Sequence, residues 1–326
     1  MNYRKFGNTD LLVSEIGFGS WAIGGGSMVG KTAIGWGNAD DLQSKEALYM
    51  ALDVGINFFD TADIYGLGHS EELIGNTIGN RKDIVIASKA GNVSRNGIFT
   101  TDYSKEYILR ACEASLKRLK RDVIDYYQLH SAKLEDLKKG ECIEAMDQLV
   151  RAGKIRYWGL SLPTFDPIPE AAFLLSKKVG SGFQLVFNII NRIAFPLFKE
   201  IYAAGCGIIA RMPLQFGLLS GKFDAQTSFP DNDHRKNRLS KEIIDSYLER
   251  QSEVYELSKK YDITQSQLAL SYILSYSEIS TVIPGIRSPE QVRLNTEGIK
   301  KISKEDRERL ENINFSELLG MIRNKQ

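Results

Sequence analysis

Short runs of β-branched and aromatic residues recur along the chain, and amphipathic stretches separate most of them. Eight runs read as strands: Glu15–Gly19, Asn57–Asp60, Asp83–Lys89, Val123–His130, Arg156–Ser161, Phe183–Phe187, Gly207–Arg211 and Thr281–Ile283. Between them, Lys105–Leu119 places Ile108, Ala111, Cys112, Ser115, Leu116 and Leu119 on one stripe, the spacing of a helix packed on a sheet. Asp40 or Asp41 can cap a helix that runs to Val54 and stops at Gly55. Ser303 with Asp306 resembles a capping box opening a last helix.

Strand and helix alternating in this way predict a parallel (β/α)₈ TIM barrel, one α/β domain over residues 1–326. A doubly wound parallel sheet competes for the same alternation. The segment before Glu15 reads as a small hairpin closing the barrel bottom, with Asn8-Thr9-Asp10 as its turn. About seventy residues separate the seventh and eighth runs, more than one helix needs. Within that gap Met212–Leu239 is rich in Gly, Pro, Asp and Asn and predicts a long loop over the barrel mouth.

Composition narrows the class without naming it. With 43% hydrophobic residues and 10% aromatics, 326 residues can bury a sizeable core. Forty-two basic residues balance 41 acidic ones, so no electrostatic footprint for nucleic acid or acidic membranes is present. Cys112, Cys142 and Cys206 are far apart, a pattern of a reducing compartment. No secretory signal pattern opens the chain and no apolar run approaches the roughly 20 residues that span a bilayer. A soluble cytoplasmic protein is expected, without inserted segments, nucleic-acid partner or metal site.

Four positions carry chemistry. Asp60, Lys89 and His130 close the second, third and fourth strand runs, and Tyr65 lies just past the second, in Asn57-Phe58-Phe59-Asp60-Thr61-Ala62-Asp63-Ile64-Tyr65-Gly66. Barrels collect their chemistry at the C-terminal ends of several strands, so these positions favour the barrel over the doubly wound sheet. Taken singly, each has an ordinary role: a helix cap, a solvated lysine, a packing aromatic, a hydrogen-bonded core imidazole. Together they form an acid-catalysis set. A hydride arriving at a carbonyl carbon puts negative charge on the oxygen, which must be stabilised and protonated. A free tyrosine, with pKa about 10, is a sluggish acid at neutral pH. A nearby ammonium favours its phenolate. Lys89 would supply that charge, Asp60 would hold Lys89, a neutral His130 would polarise the carbonyl, and Tyr65 would exchange the proton.

In type, order and spacing these four residues resemble the tetrad of the aldo-keto reductase superfamily, and the resemblance covers essentially the whole chain. The pattern is nearest to the bacterial-type branch related to potassium-channel β subunits and sugar-type reductases. The resemblance implies a nicotinamide site. Ser161 and Gln184 match residues that hold the nicotinamide amide, Leu162 replaces the usual Asn, and Phe187 stands for the stacking aromatic. Pro213, Leu214, Gly217, Leu219, Gly221 and Lys222 resemble the pyrophosphate loop. Arg211-Met212 replaces the usual Tyr-Ser before that Pro, so Arg211 is expected to face phosphate or substrate. Gly285, Arg287, Ser288, Gln291 and Asn295 resemble the adenosine-binding stretch, and a guanidinium at Arg287 suits a 2′-phosphate, hence NADP(H).

Two motifs compete. Gly25-Gly26-Ser27-Met28-Val29-Gly30-Lys31-Thr32 fits the Walker A pattern of a P-loop nucleotide hydrolase, but Ala33-Ile34-Gly35-Trp36-Gly37 follows where a helix should start. Gly17-Phe18-Gly19-Ser20-Trp21-Ala22 mimics a dinucleotide fingerprint without its helix. Residues 21–38 read instead as a loop after the first strand, with Trp21 and Trp36 as candidate substrate-contacting surface. The expected activity is interconversion of an aldehyde, ketone or keto sugar with its alcohol. A cofactor-bound regulatory or channel-associated subunit with slow turnover is the rival reading, and an oligomer is compatible with either.

Overall fold

A β-hairpin, β1 (Tyr3–Lys5) and β2 (Leu12–Ser14), precedes eight parallel strands: β3 (Phe18–Gly19), β6 (Phe58–Asp60), β7 (Val85–Ala90), β10 (Ile124–His130), β11 (Ile155–Ser161), β12 (Gly182–Val186), β13 (Gly207–Arg211) and β14 (Thr281–Ile283). They pair in the order β3-β6-β7-β10-β11-β12-β13-β14. Parallel bridges Ile16↔Val282 and Gly19↔Gly285 bring the first strand to the last and close a (β/α)₈ barrel. The computed structural model describes all residues but Lys31, Asn38, Asn232 and Gln326, and omits the side chains of Thr32 and Ala33. The closing seam is tight. A Cβ on Gly19 would lie 2.7 Å from the Pro284 carbonyl oxygen, so only glycine lets the two strands meet there.

The two-residue period of the strands sorts side chains into two cores. Phe58, Val85, Ala87, Tyr126, Ile209 and Ile283 fill the barrel interior. Their neighbours Phe59, Ile86, Tyr127, Leu160, Phe183 and Ala210 face outward into the core shared with the helices. The hairpin plugs the interior from below, with the Phe6 and Tyr126 ring centroids 4.8 Å apart. Arg4 ties the plug down. It pairs with Glu15 at 2.6 Å and donates to the carbonyls of Leu274, Tyr276 and Ile279 at 2.8–2.9 Å.

The expected helices form, Asp40 caps as expected, and of the capping box at Ser303 only one half is made, the Ser303 N–H going to the Tyr261 hydroxyl. Asp40 accepts from the amides of Leu42 and Gln43 and opens the helix Asp41–Asp53. Ser104 caps Lys105–Leu119, and Ser303 accepts from the Asp306 amide. The reading of Met212–Leu239 as one long loop needs correction. It holds a 3₁₀ turn (Gln215–Ser220) and a short helix (Arg235–Arg238), and the helices Lys241–Leu248, Ser252–Lys260 and Gln265–Leu274 fill the rest of the gap before β14.

Two small hairpins stand at the mouth: β4 (Met28–Val29) with β5 (Thr32–Ala33), and β8 (Asn92–Arg95) with β9 (Ile98–Thr101). The first lies in the Walker-like stretch. Antiparallel strands there replace the phosphate-binding loop and helix that a P-loop requires, so the hydrolase reading fails; Lys31 itself lies outside the described residues. No helix among the described residues is long and apolar enough to cross a membrane.

Candidate active site

Continuing the inward register of each strand above the apolar interior gives Asp60 on β6, Lys89 on β7, Gln128 and His130 on β10, Ser161 on β11, Gln184 on β12 and Arg211 on β13. The wall that is apolar below becomes polar at the C-terminal mouth.

At its centre, Lys89 and Asp60 are buried together. The Lys89 Nζ donates to Asp60 Oδ1 at 2.6 Å and to the Thr61 carbonyl at 2.7 Å, and sits 3.5 Å from the Tyr65 hydroxyl. Gln184 and Gln128 donate their side-chain amides to Asp60 Oδ2 at 2.7 and 3.2 Å. The carboxylate is thus saturated by a cation and two amides, and the ammonium is aimed. Tyr65 reaches this group through a tight 3₁₀ turn, Tyr65–Gly68, in which Gly66 has φ +63° and a Cβ would lie 2.2 Å from the Gly24 carbonyl oxygen. His130 meets Tyr65 edge to face with centroids 5.9 Å apart. Its own carbonyl accepts the Tyr103 hydroxyl at 2.6 Å, which fixes the strand end.

Burial and charge oppose each other here. Burial raises the Tyr65 pKa, Lys89 pulls it down, Asp60 raises it and Arg211 lowers it, with a net upward shift. For Lys89, burial works against the charge, but Asp60 and then Tyr65 outweigh it and the pKa rises. Burial, then Lys89 and Arg211, hold His130 well below the usual imidazole value, so the ring is neutral. The arrangement provides a phenol beside a locked ammonium and a neutral imidazole, a set able to hand a proton to an oxygen and stabilise its charge.

A family model, "Aldo/keto reductase family", matches residues 15–314. The chain belongs to the aldo/keto reductase family. Members are nicotinamide-dependent oxidoreductases. The "Uncharacterized oxidoreductase YqkF" of Bacillus subtilis is 33% identical over 301 residues, 90% of each chain. "Aldo-keto reductase yakc [NADP(+)]" of Schizosaccharomyces pombe is 31% identical over 330 residues, 97% of this chain and 93% of that one. Among solved structures, the glycerol dehydrogenase AKR11B4 from Gluconobacter oxydans superposes with a TM-score of 0.81 at 26% identity, covering 95% of this chain and 94% of that chain.

Several residues expected to touch the cofactor of an aldo/keto reductase stand elsewhere. Phe187 is one position out of the inward register and fully buried, packed between Phe198 (4.7 Å), Tyr276 (5.1 Å) and Tyr272 (5.7 Å) behind the sheet. It is a core residue and offers no stacking face. Phe187→Leu is accordingly expected to cost about 1–2 kcal/mol of stability in urea melts and to leave nucleotide affinity unchanged. Gln184 donates one amide N–H to Asp60, which leaves its second N–H and its carbonyl oxygen for a nicotinamide amide. Leu219 is buried in the outer core and can present only backbone, and the Asn295 side chain is buried too. Ser161 does face the mouth. Leu162, which replaces the family's Asn, points outward into the core, and its carbonyl accepts from Arg211 Nη2 at 3.0 Å.

Past the mouth, Gly217, Gly221 and Lys222 follow β13, with Lys222 exposed. Pro213 is buried and Leu214 half-buried. After β14, Gly285 and Arg287 are exposed and Ser288 caps the helix Pro289–Thr296 by accepting from the Gln291 amide. The Gln291 side chain accepts from the Arg287 amide at 2.8 Å.

Trp21 and Trp36 are both at the mouth, with ring centroids 5.6 Å apart. Trp21 stacks on Tyr65 at 6.0 Å and donates its indole N–H to the Ile34 carbonyl. Both rings are half-buried. His234, from the loop after β13, packs on both rings at 4.6 and 4.5 Å, and an antiparallel bridge joins Trp36 to Asp233. Burial, then Arg238, brings the His234 pKa down to about 3.

Two contributors went unnoticed in the sequence. Gln128 had a signal, being two residues before His130 and therefore on the same inward face. His234 had none, since a loop carries no periodicity to place it.

Proposed function

We propose that this chain is an NADP-dependent carbonyl reductase and alcohol dehydrogenase for small hydroxylated or plain aldehydes and ketones, with the whole of 1–326 serving as one domain. One observation carries the reading: the Lys89 ammonium, ion-paired to Asp60, lies 3.5 Å from the Tyr65 hydroxyl with neutral His130 beside it.

In reduction, the Tyr65 O–H gives its proton to the carbonyl oxygen while Lys89 stabilises the phenolate left behind. His130, neutral, donates an N–H to the same oxygen and orients the carbonyl. In alcohol oxidation the Tyr65 phenolate takes the proton back. Asp60 takes no proton; it keeps Lys89 charged and aimed. When bound, the nicotinamide nucleotide supplies or receives the hydride.

The residues present suit such a nucleotide. Exposed Arg287 and the capped start of Pro289–Thr296 form a donor set matched to a phosphate dianion, and exposed Lys222 adds charge after β13. A Cβ at Gly285 would meet nothing within 4 Å, so the backbone between β14 and Arg287 is open to approach. The NADP(+) in the name of the fission-yeast relative supports the same preference, and the glycerol dehydrogenase supports a small hydroxylated substrate.

The test is a fluorescence titration with NADPH and NADH, followed by a panel of small aldehydes and hydroxyaldehydes. Tight NADPH binding with multiple turnovers is the expected result. Binding without turnover would favour a sensing subunit, and no binding would end the reading. Arg287→Ala is expected to weaken NADPH about tenfold or more and NADH much less, a gap that only a 2′-phosphate contact produces.

A further inference from the structure

Two tyrosines that no step of the proton transfer uses stand at the start of the helix Lys105–Leu119, Tyr103 just ahead of it and Tyr107 in its first turn. Both reach toward the site. The Tyr103 hydroxyl donates to the His130 carbonyl at 2.6 Å, and the Tyr107 hydroxyl donates to Asp63 Oδ2 at 3.3 Å. Asp63 is itself close to the chemistry. It lies two residues before Tyr65, and its amide donates to the Lys89 carbonyl at 3.2 Å. Its second carboxylate oxygen, Oδ1, is buried without a partner among the described residues, and Arg118 of the same helix pairs with Glu71 instead at 2.7 Å. A half-buried carboxylate without a paired cation is a costly component for a turn that has only to fold.

The helix start is held on every side. Ser104 caps it by accepting from the Tyr107 amide, and Asp102 accepts from the Ser104 amide at 3.0 Å and hydroxyl at 2.7 Å. The Asp102 amide donates to the Gly91 carbonyl at 2.8 Å, two residues past Lys89. The Tyr103 ring packs against the same glycine, where a Cβ would lie 2.1 Å from its Cε1. Residues 102–107 thus touch the end of β10, the backbone just after β7 and the turn that follows β6. Those three segments carry His130, Lys89 and Tyr65.

We propose that Tyr103 and Tyr107 are positioning residues, which set the reach between the Tyr65 hydroxyl, the Lys89 ammonium and the His130 ring. This rests on Tyr65 as the proton donor. A phenylalanine in either place would fill the same apolar space, so what the two hydroxyls add is the pair of hydrogen bonds to His130 and Asp63. Proton transfer is steep in geometry, and a misplacement of roughly 1 Å can cost about a hundredfold in rate. Burial, ahead of the neighbouring carboxylates, holds both phenols above the usual tyrosine pKa, so each remains a donor across the neutral range.

The test compares Tyr103→Phe and Tyr107→Phe with wild type on one good aldehyde, at a temperature where all are folded. Each is expected to lose about tenfold in kcat, with the substrate KM and NADPH affinity unchanged. The solvent deuterium isotope effect on kcat should grow, because proton transfer becomes slower than the steps around it. A hydroxyl with a merely structural role would lower the urea midpoint and leave the isotope effect in place. Asp63 supplies the matching control. Asp63→Asn still accepts the Tyr107 hydroxyl and should lose much less than Asp63→Ala, which should match Tyr107→Phe. Combining Asp63→Ala with Tyr107→Phe should cost no more than either alone. If the Asp63 variants do not fold, the two phenylalanine variants carry the test by themselves. An unchanged kcat and isotope effect in both of those, a loss confined to NADPH affinity, or additive losses in the combined variant would overturn the assignment. If Tyr65→Phe itself stays active, the proton-donor reading has failed instead, and the two failures are separable.

Discussion

Tyr65→Phe should lose between about a hundredfold and ten-thousandfold in kcat while binding NADPH as wild type does. The substitution removes one oxygen. Phe keeps the ring that packs under Trp21 at 6.0 Å and beside His130 at 5.9 Å, so the fold and mouth should not change. What is lost is the only hydroxyl in contact with the Lys89 ammonium among the described residues. Steady-state rates on one good aldehyde, with nucleotide affinity measured separately, check this. Near-normal reduction would remove Tyr65 from the proton path.

Lys89→Met should be the most destabilising change at the site, by about 3–5 kcal/mol. The cost comes from Asp60, not from the lost packing. With its cation gone, a buried carboxylate keeps only the amides of Gln128 and Gln184 and has no solvent to turn to. The stability loss should therefore be largely recovered in the double variant Lys89→Met with Asp60→Asn, whose side chain is neutral. Urea midpoints of the wild type, both single variants and the double variant form the cycle. If the double variant were as unstable as Lys89→Met, burial of the unpaired charge would not be the cause. Activity should stay low in both, because neither restores the cation beside Tyr65.

Legibility in the sequence followed periodicity. Strands that lie inside the barrel wall are bounded on both sides by turns and helices, so runs such as Gly207–Arg211 and Thr281–Ile283 were found with their observed bounds. The tetrad was legible because Asp60 and His130 end strands, Lys89 is one residue short of the end of its own, and Tyr65 sits in a distinctive run. Errors arose where one residue of register matters. Phe187 has a suitable ring but the wrong parity, and a single step along β12 turns a side chain from the mouth to the helical core. Gln184 has the right parity, yet its partner Asp60 is 124 positions away, a pairing no local pattern reveals. The mouth hairpins and His234 lie in loops, where neither a two-residue nor a 3.6-residue rhythm exists to read.

The way the barrel is plugged bears on how the chain acquires its shape. Arg4 is satisfied by carbonyls of Leu274, Tyr276 and Ile279, and the strand nearest the start is bridged to Val282 and Gly285. During synthesis Arg4 must wait for partners 270 to 275 positions further along the chain. Until then the open barrel exposes the Phe6, Phe58 and Tyr126 interior and an unpaired strand edge at each end of the sheet. Closure of the barrel is thus a long-range event, and the unclosed chain is the species with the most apolar surface and open strand edge exposed.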